Sequence, residues 1–182
     1  MKVELFPFQR TALAKLRQST AVALGNYRAT HTSQIVSYTA PTGAGKTIIM
    51  AALIEAIYHG DEIYPEQNDA IFVWLSDSPQ LTEQSRIKLE TKADKCFGRC
   101  VTINDESFDR EILDDGHIYF LNTQKLGKSS NLTKHSDSRQ FTIWETLENT
   151  IREKSDIQGR LIQMRREFFL YVLVMQQKYA VC

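Results

Sequence analysis

The stretch SYTAPTGAGKT, residues Ser37 to Thr47, decides the fold of this 182-residue chain. A strand-like run, Ile35 to Thr39, leads into it and breaks at Pro41; two closely spaced glycines, a lysine and a threonine follow, and then a helix-like segment. The glycines let the backbone curl so that successive N–H groups face inward, and the positive end of the following helix adds to their attraction for anions. The stretch therefore predicts a loop that holds phosphate groups.

The residue types in this loop point to a nucleoside triphosphate. A strand, a glycine-rich turn ending in Gly-Lys-Thr and a helix starting at the lysine are the parts of a phosphate-binding loop. Lys46 is expected to reach the β- and γ-phosphates, and the Thr47 hydroxyl to bind Mg²⁺. The predicted nucleotide site comprises Thr42, Gly43, Ala44, Gly45, Lys46 and Thr47. A dinucleotide-binding loop fits worse, because no third glycine follows at the required spacing.

Strand-like and helix-like segments alternate along the rest of the chain. Ser78 is a candidate N-cap for the helix that starts at Pro79. Such alternation indicates parallel pairing, and short apolar strands suit a sheet covered by helices on both faces. The fold class is therefore predicted as α/β with a mostly parallel sheet. The candidate helices are 47–58, 79–92 and 143–154, and the candidate strands are 35–39, 70–75, 101–104, 118–122 and 170–174.

Two polar stretches are predicted as loops. The first runs from Gly25 to Ser33, after an amphipathic helix that carries apolar residues from Leu5 to Leu16. The second, Gly127 to Gln140, has no sustained periodicity and is expected to be mobile. The predicted organisation is an N-terminal helix and loop at 1–33, one nucleotide-binding domain at 34–174 and a short tail at 175–182.

Composition excludes several classes of protein. With 22 basic and 22 acidic residues, the net charge is zero, so no overall field draws the chain to nucleic acid or to an anionic membrane. The longest apolar run, 168–175, is less than half of the roughly 20 residues that a membrane-spanning helix needs. The start of the chain lacks the pattern of a secretory signal, so a cytoplasmic location is expected. Cys96 and Cys100 have no second Cys or His pair at zinc-finger spacing.

Four segments together resemble a known family. LFPFQRTALAKL, APTGAGKT, FVWLSDSPQLTEQS and FLNTQKLGKSS follow one another in this order, within roughly Glu4 to Lys154. The phosphate loop begins with Ala40 where the general pattern has glycine, and this variant resembles the loops of superfamily-two helicases and translocases. The whole series is most similar to the motor (res) subunit of type III restriction enzymes, among the DEAD/DEAH-like ATPases. Only the phosphate loop is specific by itself; the other segments contribute through order and spacing.

The resemblance implies a RecA-like P-loop domain that couples ATP hydrolysis to movement on duplex DNA. It implies ATP and Mg²⁺ as cofactors, and a methyltransferase (modification) subunit as a possible partner of the complete enzyme. Gln9 would read the adenine edge, with Phe6 packing on the base. The residues that would meet the phosphate backbone of DNA are Ser76, Gln80, Gln84, Thr123, Gln124 and Lys125.

One part of the family pattern is missing. The resemblance calls for an acidic motif at the end of a strand, where an aspartate holds Mg²⁺ and a glutamate positions the attacking water. The sequence there reads FFLYVLVMQQKYAVC, and Met175, Gln176 and Gln177 supply no carboxylate. No catalytic residue is therefore assigned, and the domain is predicted to be truncated near this Walker B strand. The abrupt loss suggests the hypothesis that everything after about Val174 lies out of the original reading frame.

Two other functions remain open at this point. One is a catalytically inactive fragment that binds a nucleotide or a partner without turnover. The other is a small-molecule kinase or another phosphate-loop enzyme, which Ala40, Gln9 and the lack of an arginine-rich lid disfavour.

Overall fold

The computed structural model describes residues 1–30, 32–127, 130–156 and 170–174. The chain divides into two compact units, Met1–Asn68 with Ile87–Gly98 and Asp69–Arg86 with Arg99–Cys182. The predicted boundaries at 33 and 174 stay predictions, and the predicted tail, 175–182, lies outside the described residues. The helices are α1 (Pro7–Thr30), α2 (Lys46–His59), α3 (Pro79–Lys92) and α4 (Ile143–Asp156), and the strands are β1 (Ile71–Ser76), β2 (Cys100–Thr102), β3 (Ile118–Asn122) and β4 (Leu170–Val174). None of the described helices is long and apolar enough to cross a membrane.

The first unit is built on α1 and α2. Pro7 starts α1, where its fixed φ suits the first helical position and its missing N–H costs nothing. The buried face of α1 recurs at helical spacing and includes Gln9, Leu16 and Thr20. Helix α2 is apolar around most of its circumference, and its buried residues run without a break from Ile49 to Glu55. A helix of this composition belongs to the interior. The glycine-rich loop therefore ends on a helix that is held in place by packing.

Helix α1 is longer than predicted. The loop expected from Gly25 is wrong as far as Thr30, because the helix continues through the glycine and ends there. Glycine costs a helix interior about 1 kcal/mol relative to alanine, which is too little to stop a helix whose other residues favour it. The preceding residues, Ala21 to Leu24, include good helix formers, and the Thr30 hydroxyl bonds the Asn26 carbonyl at 2.8 Å in the last turn.

The strand predicted ahead of the glycine-rich loop does not form. Residues 32–41 carry neither helix nor strand, and the Ile35 side chain is 90% exposed. A short extended segment becomes a strand only when a neighbour supplies hydrogen bonds, and none of the four strands of the sheet comes from this segment. The strand that the apolar pattern of Ile35 and Val36 predicted is therefore wrong.

The second unit contains a four-stranded sheet in the order β2-β3-β1-β4. All pairs are parallel, with Phe72 opposite Ile118 and Ile71 opposite Leu170. Every residue of β3 and nearly every residue of β1 is buried, as expected of a parallel sheet. The predicted α/β class is confirmed. The predicted strands at 118–122 and 170–174 and the helix at 79–92 have the observed bounds. Helix α4 begins at the predicted residue and ends two residues later, and α2, β1 and β2 differ from their predicted bounds by one or two residues.

Helix α4 packs on one face of this sheet. Ile143 joins a buried cluster with Ile71, Val73, Tyr119 and Leu121. The helix starts with a capping box, in which the Thr142 N–H donates to Glu145 Oε2 at 2.8 Å and the Glu145 N–H donates to Thr142 Oγ1 at 3.3 Å. The cap fixes where α4 begins and so which of its side chains reach the sheet. Together these contacts hold the strands that end at the candidate DNA residues.

The polar stretch 127–140 was predicted to be mobile, but its described part is anchored. Leu132 is fully buried in the sheet cluster, and Arg139 is only 5% exposed. The Arg139 guanidinium donates to the carbonyls of Phe108 (3.1 Å), Asp105 (2.6 Å) and Asn131. One cation thus donates to three carbonyls on two segments, 105–108 and 131, and ties these segments together. The polar composition of this stretch reflects internal hydrogen bonding rather than solvation.

We expect Arg139→Met to destabilise the protein by about 2–4 kcal/mol, because it removes three hydrogen bonds from carbonyls that are buried or partly buried. Urea unfolding followed by tryptophan fluorescence measures this change. The matched control is Arg110→Met, which removes an arginine that is 42% exposed and pairs with Asp114, at an expected cost of less than about 1 kcal/mol. Equal midpoints for the two variants would contradict the anchoring role.

Candidate functional site

The glycine-rich loop reverses its direction at two left-handed residues. Gly43 has φ +84° and Gly45 has φ +78°, conformations that side chains with a Cβ rarely adopt. Residues 41–44 form a turn, which is closed by a hydrogen bond from the Ala44 N–H to the Pro41 carbonyl at 3.2 Å. Helix α2 then begins at Lys46, with Gly45 as its N-cap and no side chain capping the terminus. The first N–H groups of α2 are therefore left for another acceptor, as at anion-binding helix termini.

The Lys46 ammonium group folds back over the loop. Its Nζ donates to the carbonyl oxygens of Ala40 at 2.9 Å and Pro41 at 3.2 Å. A cation held only by neutral carbonyls keeps its full charge for an anion, and a phosphate oxygen offers a stronger, charge-assisted hydrogen bond. Thr47 follows in the first turn of α2 and is half-buried. Lys46 and Thr47 therefore lie where an anion at the loop would meet them.

Gln9 lies against the same loop. It is 6% exposed; its Oε1 accepts from the Phe6 N–H at 3.0 Å and its Nε2 donates to the Ala44 carbonyl at 3.1 Å. Phe6 is 65% exposed and stacks on Phe8, with ring centroids 6.0 Å apart and planes 5° apart. The structure thus brings Gln9 to the loop. Both ends of its amide are engaged within the chain, and its adenine-reading role stays a prediction.

The candidate DNA residues belong to the second unit, at the carboxyl ends of two neighbouring strands. Ser76 at the end of β1 lies opposite Asn122 at the end of β3 in the parallel register, which brings the two predicted segments to one edge of the sheet. Ser76 itself is 3% exposed, while Gln80 and Gln84 are exposed on α3. Ser78 caps α3 as predicted, since its Oγ accepts from the Leu81 N–H at 3.4 Å.

After β3, Thr123 is half-buried, Gln124 is exposed, and Lys125 is paired. The Lys125 ammonium contacts Asp105 Oδ1 at 2.6 Å, and both side chains are 34% exposed. The hydrogen bond from Lys125 lowers the pKa of Asp105, so the carboxylate is charged at neutral pH. The one candidate DNA cation among these six residues is therefore neutralised by a neighbour.

Sequence reasoning missed two partners at these sites. The first is the Ala44 carbonyl, which accepts a hydrogen bond from Gln9. The other bond of Gln9, accepted from the Phe6 N–H, did have a signal in the sequence, because a glutamine three residues after the start of a helix is half of a capping box. The second is Asp105, twenty residues before Lys125. It meets Lys125 because β2 and β3 are paired, and no local pattern indicates that.

Comparison with known proteins gives one result. Residues 2–159 match the family described as Type III restriction enzyme, res subunit. No curated protein and no solved structure matches the chain. The match covers both the glycine-rich loop with its glutamine and the strand ends of the sheet. The chain accordingly belongs to the type III restriction enzyme res subunit family, whose members carry a helicase-like, ATP-dependent motor domain of the RecA-like P-loop class.

Proposed function

We propose that this chain binds ATP at residues 42–47, as the nucleotide-holding part of a motor that moves on duplex DNA. The observation that supports this most is the loop geometry: two left-handed glycines, an uncapped α2 N-terminus and the Lys46 ammonium lie together within a few residues. Backbone N–H groups and one cation are the donors that a triphosphate requires. The adenine would contact Phe6, and the phosphates would accept from the loop N–H groups and Lys46.

The chain offers part of the set of residues that usually holds Mg²⁺, and this part supports magnesium use. The Thr47 hydroxyl stands in the first helical turn, where it would bind the ion beside the phosphates. The carboxylates that would hold Mg²⁺ and position water have no counterpart after β4, since Met175, Gln176 and Gln177 stand there. A glutamine carries no charge to oppose Mg²⁺ and does not act as a base. We therefore derive nucleotide binding, and no hydrolytic step, from these residues.

DNA contact is proposed at the edge formed by the ends of β1 and β3, with Gln80, Gln84, Gln124 and Lys125 as its accessible polar groups. The parallel register of the two strands and the family both support this surface. The chain has no net charge, so contact with DNA must be local and sensitive to salt. A modification subunit, as in type III restriction systems, is the proposed protein partner.

The first prediction concerns the phosphate loop. Lys46→Met should weaken ATP binding about 10- to 100-fold, the loss expected for one charge-assisted hydrogen bond. Titration calorimetry with ATP and Mg²⁺ measures the affinity. Lys88→Met, which removes an exposed lysine from α3, is the matched control and should bind like the unmodified chain. Equal affinity in the Lys46 variant would refute the assigned role of this lysine.

A second prediction separates binding from turnover. The unmodified chain, given ATP, Mg²⁺ and duplex DNA, should release phosphate no faster than its Lys46→Met variant, because Met175, Gln176 and Gln177, which follow β4, include no carboxylate to position water. A coupled phosphate-release assay measures this rate. DNA-stimulated turnover that the Lys46 substitution abolishes would show that the chain is an active ATPase.

The third prediction concerns Lys125. Asp105→Asn should free the Lys125 ammonium group and so tighten binding to duplex DNA. The slope of log K against log salt should become steeper by about 0.9, the value for one added phosphate contact. Fluorescence anisotropy at several salt concentrations measures both. Glu106→Gln removes an adjacent, exposed negative charge without freeing a lysine, and should leave the slope unchanged.

The double variant Asp105→Asn/Lys125→Gln should return to the original slope. If the two single variants behave alike, the effect is one of overall charge and Lys125 is not a phosphate contact.

A further inference from the structure

Gln9 makes two hydrogen bonds of different kinds. The bond from the Phe6 N–H to its Oε1, at 3.0 Å, closes the first turn of α1 in the manner of a capping box. The bond from its Nε2 to the Ala44 carbonyl, at 3.1 Å, joins α1 to a loop 35 residues away in sequence. The first is a local feature that many helices share. The second connects the helix to the proposed phosphate site.

The two bonds fix the orientation of the amide. Its acceptor end faces a backbone N–H and its donor end faces a backbone carbonyl, so rotating the amide by half a turn would oppose like groups at both ends. The helix cap therefore determines that an N–H points at Ala44. Glutamate at this position would keep the cap but would place a carboxylate oxygen against the Ala44 carbonyl.

The contact falls at the part of the loop that decides its shape. Ala44 lies between the two left-handed glycines, and a Cβ at Gly45 would lie 2.5 Å from Gln9 Nε2. Because the peptide bond is planar and trans, the Ala44 carbonyl and the Gly45 N–H point in opposite directions. Holding the carbonyl toward Gln9 thus turns the Gly45 N–H to the opposite side of the loop, away from α1.

We propose that Gln9 is a positioning residue for the phosphate loop, which acts on the phosphate part of any bound nucleotide whatever its base. The proposal rests on the proposed nucleotide site. It differs from adenine reading, in which the amide would contact the base and would favour ATP over ligands without adenine. Each role predicts its own pattern of affinities.

The test compares Gln9→Glu, Gln9→Ala and the unmodified chain, with ATP, GTP and inorganic tripolyphosphate as ligands. Gln9→Glu keeps the acceptor of the cap, but its carboxylate is buried against the Ala44 carbonyl, so its melting temperature should fall. It should also lose about five- to tenfold in affinity for all three ligands alike, the loss expected for one hydrogen bond. Gln9→Ala should show the same uniform loss together with a lower melting temperature.

Two results would overturn the proposal. A loss confined to ATP would assign Gln9 to the adenine, and unchanged affinities in Gln9→Glu would leave it with the cap alone. If the unmodified chain binds none of the ligands, the nucleotide site itself fails, and hydrogen exchange of the ligand-free chain then tests the positioning role separately. Faster exchange of the amides at 43–46 in Gln9→Glu supports it, and unchanged exchange contradicts it.

Discussion

The backbone reversal at Gly43 and Gly45 is the constraint on which the proposed function of this chain depends. Two residues with positive φ so close together turn the chain sharply enough for α2 to start at Lys46 with its N-terminus open. The buried helix behind the loop and the glutamine beside it hold this conformation from two sides. The residues proposed to hold phosphate thus take their geometry from packing and from α1, before any ligand arrives.

Local patterns in the sequence predicted most strands of the sheet and the helices between them well. Pro79 after a serine cap and the apolar run of β3 are signals carried by neighbouring residues, and both elements have the expected bounds. Where a feature depends on distant partners, the sequence was silent or misleading. Ile35 and Val36 look like a strand but have no ladder to join, and the polar 127–140 stretch looks solvated although Arg139 is buried among carbonyls. The loop could be found from Gly-Lys-Thr, but its contact with Gln9 could not be derived from spacing.

The sequence contains residues suited to holding a nucleotide but lacks, after β4, the carboxylates for cleaving it. Donors for phosphate come from the loop and from one lysine, which are local in sequence. The carboxylates for hydrolysis would have to follow β4, and the sequence there offers amides and a thioether. Binding and chemistry depend on different segments of the chain, so one can be lost while the other is kept. This separation underlies our preference for a nucleotide-holding role.

The guanidinium of Arg139 links two connections of the second unit and so hinders each of them from unfolding locally by itself. Its three acceptors come from two segments, Asp105 and Phe108 from the connection after β2 and Asn131 from the connection after β3. Because both segments share one guanidinium, we expect opening of residues 105–108 to be coupled to opening of residues 131–139. Lys125 and Asp105, which sit on these connections, share that restraint.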